Sequence, residues 1–401
     1  MSALRNALVI LLAVAQAAAG WRVAFRLLKT ARGAHIPRTA APAPGERVTV
    51  IVPVLDERRR LLPCLQGLMA QPPEVQEILV VDGGSRDGTQ ALVRAAAEQD
   101  VRIRLLDATP VPGDWNAKAH GLQTGLHHAD ATSNWVLTID ADVRVHPDLV
   151  RSLLAWARRS EVALQGVATR QIVAGAANAL LHPAMLTTLV YRYGIPGHDT
   201  DRAEDAQANG QCSLFRREPL EQLGGFSLAR GSRCEDVTMA RALAEAGSAV
   251  GFHESEGLVG TAMYSGWRDT WRNWPRSLTL RDRYAGLDGW QRLGEVTLAQ
   301  GLPLAVLLMS WLTSGKPAET LHARRKASAR RALWTVNIAL LTMRLGVLTG
   351  TRRAYERPPA TYWLSPLVDL PVSLRLWQSA LQRSHTWRGR TLVPEDVWSV
   401  S

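Results

Sequence analysis

The sequence predicts an α/β chain built on a mostly parallel sheet, with membrane-associated helices at its N- and C-termini. Three observations lead there. Short apolar runs alternate with helical patterns between residues 48 and 159, as in strands joined by right-handed helical crossovers. Successive apolar runs end in acids, at Asp56/Glu57, Asp82 and Asp140/Asp142. That places carboxylates in the crevice where open α/β sheets bind ligands. Long apolar stretches with basic and tryptophan flanks occupy both ends of the chain, which suits a membrane boundary.

A chain of 401 residues is long for one domain, and 46% hydrophobic content permits a full core. The net charge of +11 invites nucleic acid. Lysine and arginine are scattered, however, with no zinc pattern, RNA-binding signature or compact basic helix, so no nucleic-acid partner is expected. Cys64, Cys212 and Cys234 lie far apart without metal-ligand spacing and are expected to stay reduced in a cytosolic setting. Most of the 14 tryptophans follow residue 260.

Taken in order, residues 1–33 read as an N-terminal anchor helix. Ala17-Ala18-Ala19-Gly20 resembles a cleavage site, so a signal peptide is the alternative. The charged helical pattern continuing from Trp21 favours an uncleaved anchor, and its basic flank puts the catalytic section on the cytoplasmic side. Residues 34–45, with three prolines, read as a linker. The catalytic section spans 46–260. Its strands are expected at 48–54, 77–82, 101–106 and 135–139, and its helices at 60–70, 89–98, 116–129 and 149–159. Asp87 or Thr89 would cap the second helix. Residues 160–260 are less regular and hold Asn209-Gly210-Gln211-Cys212 and Cys234-Glu235-Asp236-Val237.

Residues 261–292 read as an amphipathic interfacial segment with Trp267, Trp271, Trp274 and Trp290 among Arg268, Arg272, Arg276, Arg281 and Arg283. Residues 293–401 hold three further apolar stretches, 293–312, 332–348 and 362–381, and a basic tail. Each stretch is near the length of a span but carries polar interruptions. The basic run 324–331 reads as a cytoplasmic loop, which makes 293–312 re-entrant or interfacial.

Asp140 and Asp142 share a side in an extended chain. Two hard oxygen donors there suit Mg2+ or Mn2+, with substrate phosphates as further ligands. A solvated turn or helix cap is the other reading, since Pro147 and Asp148 are close behind. Asp82, ahead of a glycine turn, suits hydrogen bonding to a base or ribose, or simply an ordinary turn.

A family resemblance rests on these same residues. Val52-Pro53-Val54-Leu55-Asp56-Glu57, Val80-Val81-Asp82-Gly83-Gly84-Ser85-Arg86-Asp87-Gly88-Thr89, Asp140-Ala141-Asp142 and Glu235-Asp236 keep the order and spacing of family 2 glycosyltransferases with the Rossmann-like GT-A fold. The resemblance covers roughly 46–285. It implies a UDP- or GDP-linked sugar donor, a divalent metal and inversion at the sugar carbon. Pro53, Glu57, Asp82, Lys118 and Asp140 would then meet the nucleotide sugar. Asp142, with Asp140, would hold Mg2+ or Mn2+. Asp236 would be the base, with Glu235 beside it or structural at a helix start. Gly83 departs from the family, where Asp is common. Arg268 to Trp274 resembles the Arg/Gln-x-x-Arg-Trp motif of processive synthases only loosely, with Trp and Arg transposed, which argues against polysaccharide synthesis.

Trp115-Asn116-Ala117-Lys118, Trp271-Arg272-Asn273-Trp274-Pro275 and the tail from Tyr362-Trp363 to Trp387-Arg388-Gly389-Arg390 resemble membrane-associated carotenoid glycosyltransferases of the myxol 2′-hydroxyl type. The implied function is transfer of one sugar to a lipophilic hydroxylated acceptor, a carotenoid, at an inner, plasma or thylakoid membrane. Trp271, Arg272 and Trp274 would serve acceptor and membrane. Hopanoid, ceramide or other glycolipid acceptors are alternatives. So are a nucleotidyltransferase making nucleotide sugars and a non-enzymatic membrane scaffold.

Overall fold

The computed structural model describes residues 2–278, 286–312, 321–382, 385–387 and 390–392. Arg281, Arg283, Arg388, Gly389 and the tail beyond 392 lie outside the described residues. The chain opens with α1 (Ser2–Thr30), then β1 (His35–Ile36), β2 (Val48–Val54), α2 (Leu61–Met69), β3 (Val75–Asp82), α3 (Thr89–Ala97), β4 (Ile103–Asp107), α4 (Ala117–His127) and β5 (Trp135–Ile139). It continues through β6 (Val143–Val145), α5 (Leu149–Ser160), β7 (Leu164–Ala168), β8 (Arg170–Gln171), α6 (Ala176–Tyr193), β9 (His198–Thr200), β10 (Cys212–Arg216), α7 (Arg217–Gln222), α8 (Glu235–Glu245), β11 (Val250–Ser255) and β12 (Val259–Thr261). A helical section completes it: α9 (Trp267–Leu278), α10 (Leu287–Val296), α11 (Pro303–Leu312), α12 (Leu321–Thr351) and α13 (Asp369–Leu381).

Nine strands form one sheet in the order β1-β11-β7-β10-β5-β2-β3-β4, with β9 on β11. β2, β3 and β5 are nearly continuous β-branched and leucine runs buried on both faces, the pattern of central parallel strands. One apolar layer packs α2 and α5 on one face, through Leu65, Leu153 and Trp156. Another packs α4 and α8 on the other, through Leu122, Leu126, Met239 and Leu243. The register Ile51↔Thr138 and Val54↔Asp82 brings the carboxyl ends of the three strands level. Pro53 lies beyond the last β2–β5 pair, where its missing N–H costs that ladder nothing.

β10 runs antiparallel between β5 and β7, with Cys212 opposite Ile139. This reversal delivers residues 209–211 to the acidic end of β5, where the Asp140 N–H donates to the Gln211 carbonyl at 3.1 Å. The expected 34–45 linker is not only a connection. β1 pairs in parallel with β11, and Ile36 is fully buried. The cap of α3 also differs from expectation. Gly88 takes it, in the left-handed region, while Asp87 accepts from the backbone and hydroxyl of Thr89.

α1 and α12 contain the segments Asn6–Thr30 and Ser328–Ala354, each long and apolar enough to cross a membrane, with mean hydropathies of 1.8 and 1.4. Gln16 and Asn337 join them by reciprocal side-chain amide bonds of 2.8 and 2.9 Å. Such paired amides satisfy polar groups that hydrocarbon would leave stranded. α10 and α11 are bent by 43° at the break near residue 302, the geometry of a broken span or re-entrant loop and in line with the expectation for 293–312. Two expectations fail here. The basic run 324–331 lies within α12 rather than in a loop. The stretch 362–381 is divided between a 3-10 helix, Ala360–Val368, and α13, because Pro366 and Asp369 break the α-helical run.

Candidate active site

Lys118 is the hub. Asn116 caps α4, accepting from the Lys118 backbone N–H at 2.9 Å and donating to the Ser232 carbonyl at 2.8 Å. This aims the lysine at the strand ends. Its Nζ lies 2.7 Å from Asp140 Oδ1, 2.7 Å from Glu235 Oε1 and 3.1 Å from the Gly210 carbonyl. One ammonium thus ties the end of β5 to the start of α8. Glu235 therefore does more than begin a helix, since the α8 cap position is Cys234 and no side chain caps it. Burial alone would favour the neutral amine, but Asp140, Glu235 and Asp236 outweigh it and hold Lys118 charged, above the usual lysine range.

The carboxylates respond to the same enclosure. Burial pushes the Asp140 carboxyl up to about 6, against the pull of Lys118 and with a further push from Asp142. Burial also raises Asp142, with Arg60 opposing and Glu57 adding to it. Asp236 is pushed up to about 6 by burial and then by Glu235, against Lys118 and the N–H groups of Val237 and Gly210. The Gly210 N–H donates to Asp236 Oδ2 at 2.5 Å. A side chain at position 210 would place its Cβ 2.5 Å from Lys118 Nζ and 3.1 Å from Glu235 Oε1, so only glycine fits.

Arg60 grips Glu57 Oε2 at 2.7 Å and stands 3.9 Å from Asp142 Oδ2. Asp142 Oδ1 is buried and accepts no hydrogen bond among the described residues. An orphaned carboxylate oxygen beside Asp140 fits a divalent cation, which needs one or two carboxylates and leaves its other positions to water and phosphate. Among the described residues no three His, Cys, Asp or Glu side chains gather as a closed metal cage. An open site completed by substrate fits that arrangement.

These groups line one cavity of about 1210 Å3. Pro53, Glu57, Lys118, Asp140, Asp142, Glu235, Asp236 and Trp274 border it. It then runs on to an apolar end between α1, α6 and α12, bordered by Leu27, Leu28, Leu189, Met343, Gly346 and Gly350. Three expected site residues are elsewhere. Asp82 is 1% exposed. It accepts from the Gly84 and Ser85 N–H groups, the Ser85 hydroxyl and Gln90 Nε2, the last at 2.6 Å. Its oxygens are spent closing the turn rather than turned to the cavity. Arg272 is exposed and Trp271 is partly buried in the α9–α13 packing; neither borders the cavity. Trp274 does, stacked at 4.1 Å on His182. Sequence reasoning missed Arg60 and gave no role to Gly210 or Asn116. The Asn209-Gly210 dipeptide signals a turn, but nothing local signals what that turn would touch.

Residues 49–224 match the family model Glycosyl transferase family 2, so the chain carries a family 2 glycosyltransferase domain, and its sheet is the mostly parallel α/β architecture of the GT-A fold. Over 235 residues the chain is 25% identical to 4,4'-diaponeurosporenoate glycosyltransferase of Staphylococcus aureus, covering 58% of this chain and 60% of that one. It is 27% identical over 109 residues to glycosyltransferase GlyG of Streptococcus pneumoniae, 27% of this chain and 34% of that one. The chain thus spans about a third of GlyG and three-fifths of the staphylococcal enzyme. Among solved structures, a mannosyltransferase from Pyrobaculum calidifontis in complex with GDP-Man and Mn2+ aligns with a TM-score of 0.49 and 21% identity, over 94% of this chain and 97% of that one.

Proposed function

We propose that this protein is a membrane-bound inverting glycosyltransferase that moves one sugar from a nucleotide sugar to the hydroxyl of a lipophilic acceptor, a carotenoid. The observation that carries the reading is the single cavity joining the Lys118–Asp140–Asp236 cluster to an apolar end between the two span-length helices. A soluble acceptor needs no such approach. The similarity to the diaponeurosporenoate glycosyltransferase supports a carotenoid over a hopanoid, ceramide or other glycolipid acceptor.

The residues divide the work. Asp142 and Asp140 would hold Mg2+ or Mn2+. That ion, when bound, supplies Lewis-acid stabilisation of the departing nucleoside diphosphate. Pro53 and Glu57 flank the donor, and Arg60 holds Glu57. Lys118 orients Asp140 and Glu235 and keeps positive charge beside the phosphates. Asp236, with its carboxyl up to about 6, is ionised at neutral pH and still basic enough to take a proton. It accepts the proton of the acceptor hydroxyl as that oxygen bonds to the anomeric carbon. The sugar–phosphate bond breaks with its electron pair going to the phosphate, so one displacement inverts the centre. The catalytic section would face the cytoplasm, where nucleotide sugars are made.

Labelled UDP- and GDP-hexoses incubated with membranes holding the protein, then extracted with organic solvent, test this. Label in the organic phase that co-migrates with a carotenoid monoglycoside is expected. New water-soluble nucleotide sugar with none in the lipid phase would overturn it in favour of a nucleotidyltransferase.

A further inference from the structure

We infer that the apolar arm of the cavity along α12 is the channel that seats the acceptor's hydrocarbon, and that Gly346 and Gly350 set its width. The inference rests on the function proposed above. Met343, Gly346, Val347 and Gly350 all border the cavity, and their spacing puts them on one helix face. At 1.5 Å per residue, that face runs for about 10 Å. Leu27 on α1 and Leu189 on α6 form facing walls. The wall is apolar throughout, and the far end of the same cavity holds the carboxylate expected to take the hydroxyl proton. A molecule filling both ends must be an alcohol with a long apolar body.

The glycines are the informative residues. Glycine weakens a helix interior, so two on one face require a reason. Close helix packing is the usual one for Gly-x-x-x-Gly in an apolar helix. Here it fails within the chain, since an added Cβ at either position meets nothing within 4 Å. Each bares backbone to open space that belongs to the cavity. Side chains there would fill that space without disturbing any neighbour. A second copy of the chain packing on this face is the competing occupant. The cavity's continuity with the catalytic cluster favours the acceptor.

The test uses full-length protein in phosphatidylcholine–phosphatidylglycerol nanodiscs, with a hydroxylated carotenoid as acceptor and UDP- and GDP-hexoses as donors. Gly346→Leu and Gly350→Leu should raise KM for the carotenoid by about tenfold or more. Thermal protection by the nucleotide sugar should stay at the wild-type level, which also reports an intact fold. Gly346→Ala should give a smaller rise, and it serves as the reading should either leucine variant lose donor protection. Leu345→Phe, on the lipid-exposed side, should change nothing. Wild-type carotenoid KM in both leucine variants would overturn the inference, as would a lost dimer with unchanged kinetics. A wild-type protein that binds the donor but glycosylates no lipid alcohol would overturn the proposed function and this inference together.

Discussion

The two ends of the cavity are built on opposite terms. At the acidic end, charged groups from four segments meet around one ammonium, with Lys118 at 2.7 Å from both Asp140 and Glu235. Each comes from a short stretch readable as a motif. At the apolar end no motif exists. Three helix faces, separated by more than a hundred residues, leave a space between them. The difference teaches that chemistry tolerates little displacement and so sits at rigid strand ends. A hydrocarbon needs only volume and apolar walls, which helix packing supplies.

The largest expected effect breaks the acidic end alone. Asp142→Ala removes the carboxylate whose oxygen is orphaned, and it should cut transfer by orders of magnitude, because metal stabilisation is worth several kcal/mol. Chelator should abolish wild-type activity and Mg2+ or Mn2+ restore it. Carotenoid binding at the other end, read from its absorbance in the purified protein, should persist. Full turnover in chelator would remove the metal from the account.

Next comes the base. Asp236→Asn should lower turnover by about a hundredfold or more while donor protection survives. The wild-type enzyme should show an acidic limb near pH 6, set by the raised carboxyl of Asp236. The sign is set by the base form. A pKa raised to about 6 leaves the carboxylate ionised above that pH, and activity falls as pH drops through it. A variant that kept the wild-type limb and rate would shift the role to Glu235.

The smallest effect belongs to the helical end. Gln16→Leu strands one side of the amide pair and should cost on the order of 1 kcal/mol, visible as a lowered Tm in detergent. The double variant with Asn337→Leu should recover part of it, since neither amide is then unpaired. Turnover per folded molecule should hold in both. A large loss of activity from either would mean that the two ends are coupled more tightly than the packing implies.

Much of the acidic end was legible because its causes are local. An apolar run buried on both faces makes a central strand, and a carboxylate directly after it lands at the sheet's ligand-binding edge. Hence Asp140, Asp142, Glu57 and the sheet itself could be read from residue order. So could the apolar character of both chain ends. Tertiary structure alone decided the rest. The antiparallel entry of β10 set Gly210 against Lys118 and Asp236. The turn after β3 claimed the oxygens of Asp82. β1 drew Ile36 out of an apparent linker into the sheet, and helix packing turned Trp271 and Arg272 away while opening α12's glycine face to the cavity. Each of these depends on which elements become neighbours across long stretches of chain. Periodicity reports only how one element presents its own faces, because side-chain direction repeats along the local backbone. It carries no information about what stands opposite.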